Sequence, residues 1–139
     1  MTSDLRPPRP LPTPDRGSAP YWQALADGRF LMQRCTLCTR WTWPARPICS
    51  GCHGFDLEWT EAGGGGEVQS WVVTHQPYSP DLAALVPYTV ATVRVDEQDD
   101  ILIPGRYVGT VDIHQGLRVR ARPEKATDEI GLLTWDAAG

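Results

Sequence analysis

Residues 34–53 read RCTLCTRWTWPARPICSGCH, and this stretch decides how the rest of the chain is read. Cys35 and Cys38 form one C-x2-C pair, Cys49 and Cys52 form a second, and ten residues separate them. Each C-x-x-C can close a tight knuckle whose two sulfurs face one point. The intervening Trp41–Pro47 stretch, WTWPARP, is short enough for a hairpin that brings the pairs together. Four thiolates around one tetrahedral ion suit zinc, so Cys35, Cys38, Cys49 and Cys52 are the expected ligands of one structural Zn2+. An S4 set also suits a single iron, which leaves a redox role open at this point. His53 follows Cys52 and could replace a sulfur, but four cysteines already fill the shell. A site closed by four thiolates has no open position for water or substrate. It serves structure and does not catalyse.

Outward from the metal site, the 139-residue chain suits one compact unit or two very small ones. On the N-terminal side, Pro7, Pro8, Pro10, Pro12 and Pro14 forbid a helix, and residues 1–17 are expected to form an extended arm. Ser18 is a plausible N-cap, Pro20 fits a first turn, and Tyr21, Trp22 and Leu25 fall at helical spacing. A short helix is therefore expected over 18–28, stopped by Asp27-Gly28. Residues 29–34 should lead into the knuckles as a strand. Helix and ribbon together occupy 18–60.

On the C-terminal side, the tetraglycine Gly63–Gly66 reads as a hinge or wide turn. Five segments rich in β-branched and aromatic residues follow, at 67–75, 88–95, 101–108, 117–122 and 129–135. Turn signals at Asp96–Asp100, His114-Gln115-Gly116 and Pro123-Glu124-Lys125 separate them. Five short strands without a long helix point to a small closed barrel of the OB type over 61–139. The fold class expected is mostly β: an N-terminal helical segment, a rubredoxin-like zinc ribbon and a C-terminal OB-fold barrel. The loop 76–87 is the longest, and long loops on a small barrel are frequent binding sites.

Charge and composition bear on function. The formal net charge is -4, whereas a non-specific nucleic-acid binder carries a basic excess. No run approaches the roughly 20 apolar residues that span a bilayer. With no apolar leader at the N-terminus and with paired cysteines, the chain reads as cytoplasmic. No nucleophile elbow, P-loop or dinucleotide fingerprint occurs. Among the three histidines, His75 beside the long loop could act as a base, but a strand-end role explains it better. Asp99 and Asp100 are adjacent and read as a polar turn. No catalytic constellation emerges, and no cofactor-binding residue can be named.

The ordered set YWQALADGR (21–29), LMQRC, the two knuckles, WPARPIC, LEWTEAGGGGEVQSWVV, Pro87-Tyr88 and HQGLRVRAR resembles a known family over roughly residues 20–135. It resembles the zinc-ribbon/OB-fold proteins associated with acyl-CoA metabolism, formerly a domain of unknown function. The chain departs from that pattern in having Thr39 where a glycine is usual, a longer glycine run, and a proline-broken ILIPGRYVG. The resemblance implies a non-catalytic accessory subunit of a thiolase-fold acyl-CoA enzyme, a thiolase or a retro-aldolase. Relatives also occur with hotdog-fold enoyl-CoA hydratases, and in steroid side-chain degradation such a pair resembles an aldolase releasing propionyl-CoA. The partner would supply the catalytic residues, and this chain would meet acyl-CoA only indirectly. Trp41, Trp43 and Tyr78 are candidate anchors for the interface, and Arg118, Arg120 and Arg122 form an alternating basic face for a CoA phosphate or an acidic surface. The competing reading is a single-stranded nucleic-acid module, a role that OB barrels and zinc ribbons both serve.

Overall fold

Gly28 closes the first element. Helix α1 (Ala19–Ala26) has Pro20 in its first turn and ends at Asp27, after which Gly28 turns the chain with φ of 82°. The computed structural model describes residues 11–77, 80 and 83–138. Ser18 stands at the cap position but makes no side-chain bond to α1. Its hydroxyl instead accepts from the Asp15 amide at 3.2 Å, while the Ser18 amide donates to Asp15 Oδ1 at 2.7 Å. This reciprocal pair precedes the helix and takes the place of the expected cap. Residues 1–10 of the expected arm lie outside the described residues.

The ribbon contains three strands, β1 (Leu31–Cys35), β2 (Trp41–Thr42) and β3 (Leu57–Glu61), antiparallel in the order β2-β1-β3. The expected hairpin across WTWPARP does not form as such. Trp41 and Thr42 fold back onto Arg34 and Gln33, and residues 43–48 then cross to the second knuckle. Gln33 is buried, and its side-chain Oε1 accepts the Arg46 amide at 2.8 Å, which holds the crossing segment in place.

The barrel strands are β4 (Gly65–Thr74), β5 (Tyr88–Val95), β6 (Leu102–Tyr107), β7 (Arg118–Lys125) and β8 (Gly131–Ala137). They close in the order β4-β5-β6-β8-β7, with β6 and β8 parallel and every other pair antiparallel. This is the OB-type barrel expected from the five segments. Half of the tetraglycine is strand and not hinge, since Gly65 and Gly66 pair with Arg120 and Val119. The unusual ILIPGRYVG also forms a regular strand, Pro104 lying opposite Thr92. Its Gly105 is required because the Trp135 indole lies over it; a Cβ there would meet Trp135 Cδ1 at 2.8 Å.

Alternation along the strands builds the interior. Ala91, Val93 and Val95 of β5 are buried, as are Val68, Ile103, Val119 and Trp135. Tyr21, Leu25, Phe30, Met32 and Trp41 join the same cluster, so helix, ribbon and barrel share one continuous core. Phe30 and Trp135 meet edge to face at 6.4 Å across that seam.

Candidate functional site

The two knuckles are near copies of each other in backbone detail. In the first, the Cys38 amide points at Cys35 Sγ at 3.4 Å and the Thr39 amide donates to the Cys35 carbonyl at 3.0 Å. In the second, the Gly51 amide points at Cys49 Sγ at 3.3 Å and the His53 amide donates to the Cys49 carbonyl at 3.1 Å. The residue after each second cysteine takes a left-handed conformation, φ 67° at Thr39 and 63° at His53. A glycine usually relieves such a position. This chain places β-branched Thr39 there, so the departure seen in the sequence is a real cost in backbone strain.

The four sulfurs converge. All lie within 4.8 Å of one another, with Cys35–Cys52 at 3.6 Å and Cys38–Cys49 at 3.5 Å. Zinc–sulfur bonds of about 2.3 Å in a tetrahedron put sulfurs about 3.8 Å apart, so the cage fits such an ion with little adjustment. The inward amides favour thiolate. The Cys52 and Gly51 amides bring the Cys49 thiol down to about 6, and the Cys38 amide lowers that of Cys35. Cys35 and Cys49 are buried while Cys38 and Cys52 face solvent. His53 is exposed and stands outside the sulfur cluster.

A second feature lies where ribbon meets barrel. Gln98, in the turn after β5, grips the ribbon backbone from both directions: the Trp41 amide donates to its Oε1 and its Nε2 donates to the Trp41 carbonyl, each at 2.9 Å. Gln98 Nε2 also lies 2.9 Å from Asp100 Oδ1. Arg40 pairs with Asp100 and donates to Ser50 Oγ at 3.1 Å, spanning from the second knuckle to the barrel. The Gln98 amide and the Arg40 guanidinium hold the Asp100 carboxyl below the ordinary carboxylate value.

Beside this clamp runs an apolar groove of about 460 Å³. Trp22 of the helix, Trp43 and Pro44 of the ribbon, and Tyr88, Pro104 and Arg106 of the barrel line it. The Arg106 Nε–H is buried without an acceptor among the described residues. Sequence reasoning offered Trp43 as an interface residue but not Tyr88, Pro104 or Arg106, because they converge only once the barrel closes. Three further apolar side chains, Leu37, Ile48 and Phe55, are exposed around the knuckles.

Other expected site residues separate. Trp41 is buried in the shared core with the Arg34 guanidinium 4.9 Å over its ring, so it is no surface anchor. Tyr78 lies outside the described residues. Arg118, Arg120 and Arg122 do alternate as exposed positions on β7. Two of the three are tied to carboxylates, Arg118 to both Asp96 oxygens at 2.8 and 2.5 Å and Arg122 to Asp136 at 3.6 Å. A free basic stripe is therefore not presented. His75 is exposed just beyond the end of β4.

The fold and the knuckles have counterparts. The rubredoxin-like zinc ribbon domain of ChsH2 matches residues 22–58, and the C-terminal OB-fold domain of ChsH2 matches residues 59–124. The "Probable enoyl-CoA hydratase alpha subunit" of Thermomonospora curvata is 38% identical over 89 residues, 64% of this chain and 27% of that protein. This chain thus spans about a quarter of that relative's length. A DUF35 domain-containing scaffold protein of Pyrococcus furiosus is 30% identical over 94 residues, 66% of this chain and 68% of the relative. A chain of the Ltp2-ChsH2(DUF35) aldolase superposes with a TM-score of 0.79 at 32% identity, covering 92% of this chain and 99% of that one. A DUF35 protein of unknown function from Sulfolobus solfataricus superposes with a TM-score of 0.58 at 17% identity, over 88% of this chain and 86% of the other, a likeness of fold alone.

Proposed function

The chain belongs to the DUF35 family of ChsH2-type zinc-ribbon and OB-fold proteins, and on that premise we propose that it is a non-catalytic accessory subunit of a thiolase-fold acyl-CoA enzyme. One Zn2+ held by Cys35, Cys38, Cys49 and Cys52 keeps the ribbon folded in this reading. It takes no part in chemistry, since all four positions are filled by sulfur. The partner carries out the bond cleavage, thiolytic or retro-aldol. This chain stabilises the partner and helps shape the entrance to its acyl-CoA site.

The observation that carries the reading is the near-complete superposition, at 32% identity, on a chain of an aldolase named for two proteins. The relative named as an enoyl-CoA hydratase subunit supports acyl-CoA chemistry as the setting and makes a hotdog-fold hydratase a further candidate partner. The groove between Trp43 and Tyr88 supplies an apolar surface for a partner loop. The pairing of Arg94 with Glu67, and of Arg118 and Arg122 with their carboxylates, favours this reading over a single-stranded nucleic-acid module. Such modules need a groove of free cations and stacking platforms.

Co-expression with a thiolase-like protein tests the reading. The two should elute together on size exclusion. Cleavage of a steroid side-chain CoA thioester, the first substrate to offer, should require both. A thiolase-like protein equally soluble and active alone would refute the proposal.

A further inference from the structure

Residues 69–75, QSWVVTH, belong to a strand that outlives its neighbour. β4 pairs with β7 only through Gly65, Gly66 and Glu67, after which Val68 exchanges bonds with Leu117 and Gly116 at 3.0 and 2.8 Å. A bulge follows between Val68 and Ser70. From Ser70 to Thr74 the strand keeps β5 on one side, and among the described residues nothing pairs with its other edge. Trp71 and Val73 lie opposite Ala91 and Thr89, on the side that faces the barrel interior lower down, and Val72 lies opposite Val90 on the other side. All three are exposed, Trp71 at 39%, Val72 at 62% and Val73 at 46%.

Open strand edges are normally blunted by lysines, prolines or inward charges, because unpaired N–H and C=O groups invite a second strand. Ser70–Thr74 carries no charge and no proline. It is also nearly symmetric about Val72. Antiparallel pairing with its own copy would set Ser70 against Thr74, Trp71 against Val73 and Val72 against itself. Hydroxyl pairs and aromatic–β-branched pairs are favourable cross-strand neighbours, and no like charges meet. Glu67 is already paired with Arg94 at 3.0 Å, so it adds no charge seeking a partner at this edge.

We infer that the β4 edges of two copies pair antiparallel about Val72, giving a two-fold dimer with one sheet running through both barrels. An isologous contact of this kind needs one patch complementary to itself, which this segment is. Five residues per strand bury only on the order of 600–800 Å² in total, below the 1,200–2,000 Å² of a standard interface. Association is accordingly weak and concentration-dependent. This inference stands apart from the identity of the enzyme partner.

The test is sedimentation equilibrium of the full zinc-loaded chain, without partner, from low micromolar to near-millimolar concentration. The wild type should pass from monomer to dimer. Val72→Lys and Val72→Glu each put like charges on the axis and should each weaken the dimer about tenfold or more. An equimolar mixture of the two variants should recover it, since opposite charges then face each other. A wild type that stays monomeric throughout overturns the inference. So does a dimer indifferent to Val72→Lys, or a mixture no tighter than either variant alone.

Discussion

Thr39 is where backbone strain meets the four-cysteine cluster. Its φ of 67° is the value that closes the first knuckle, and its carbonyl accepts the Arg34 Nε–H at 3.0 Å. A non-glycine residue in this region costs on the order of 1–3 kcal/mol. Thr39→Gly should therefore stabilise the zinc-loaded chain by about 1 kcal/mol, net of glycine's greater freedom in the unfolded state. Chemical denaturation with zinc in excess measures it, and a destabilised variant would show that the threonine hydroxyl, which donates to the Cys38 carbonyl at 2.5 Å, matters more than the strain. At this scale the sequence was highly informative. Cysteine spacing is set by knuckle geometry, which is local, so all four candidate ligands could be named before any fold was known. The demotion of Trp41 from surface anchor to core could not be foreseen. Its burial comes from a core shared with the distant barrel, and Gln98, 57 residues away, grips its backbone.

The seam between β2 and the β5–β6 turn sets how the ribbon sits on the barrel. Gln98 makes two hydrogen bonds to the Trp41 backbone and is the first cause of the lowered Asp100 carboxyl, ahead of Arg40. Gln98→Ala should cost about 1–2 kcal/mol at neutral pH, two net hydrogen bonds' worth, read by denaturant unfolding. A depressed folded-state value contributes stability above the ordinary carboxylate value of 3.8, and that contribution is lost as pH falls through the lowered folded value. In Gln98→Ala the Asp100 carboxyl should titrate closer to 3.8 in a carbon-detected NMR titration. An Asp100 value unmoved by the substitution would assign the shift to Arg40 alone. Most strand positions were legible because β-branched alternation is a local signal, but Pro123-Glu124-Lys125, which read as a turn, continues β7 along β8. The two-residue β2 was not, since Trp41 and Thr42 become a strand only by pairing with β1. The groove was hidden for the same reason, as its walls come from helix, ribbon and barrel, far apart in sequence.

At the scale of the whole molecule, the shared core would make a metal held by the four cysteines a global stabiliser. Structural zinc contributes roughly 10 kcal/mol or more to small ribbon folds. Phe30, Met32 and Trp41 of the ribbon side pack in one cluster with Val68, Val93 and Trp135 of the barrel. Stripping the metal with a strong chelator should therefore abolish the near-ultraviolet signal of the buried barrel tryptophan, Trp135, as well as that of the ribbon, in one transition. A barrel that stays folded, with Trp135 still protected from quenching, would show that the core is divisible. The order helix, ribbon, barrel was readable from the sequence, and so was the barrel's strand count, but their fusion into one interior was not. Burial of Phe30 against Trp135 is a contact between residues 105 positions apart, and no local pattern encodes it.

The tight seat of α1 on β8 has a consequence for how such chains can be recombined. A Cβ on Gly131 would run into the helix backbone at Leu25 and Ala26, so helix and last strand are shaped to each other at atomic distance. Swapping the first sixty residues between homologues would look, from the sequence alone, like exchanging a cassette at the tetraglycine. The crossover would in fact cut through a lock and leave its key behind. Functional chimeras should be those that carry helix α1 and strand β8 from the same parent.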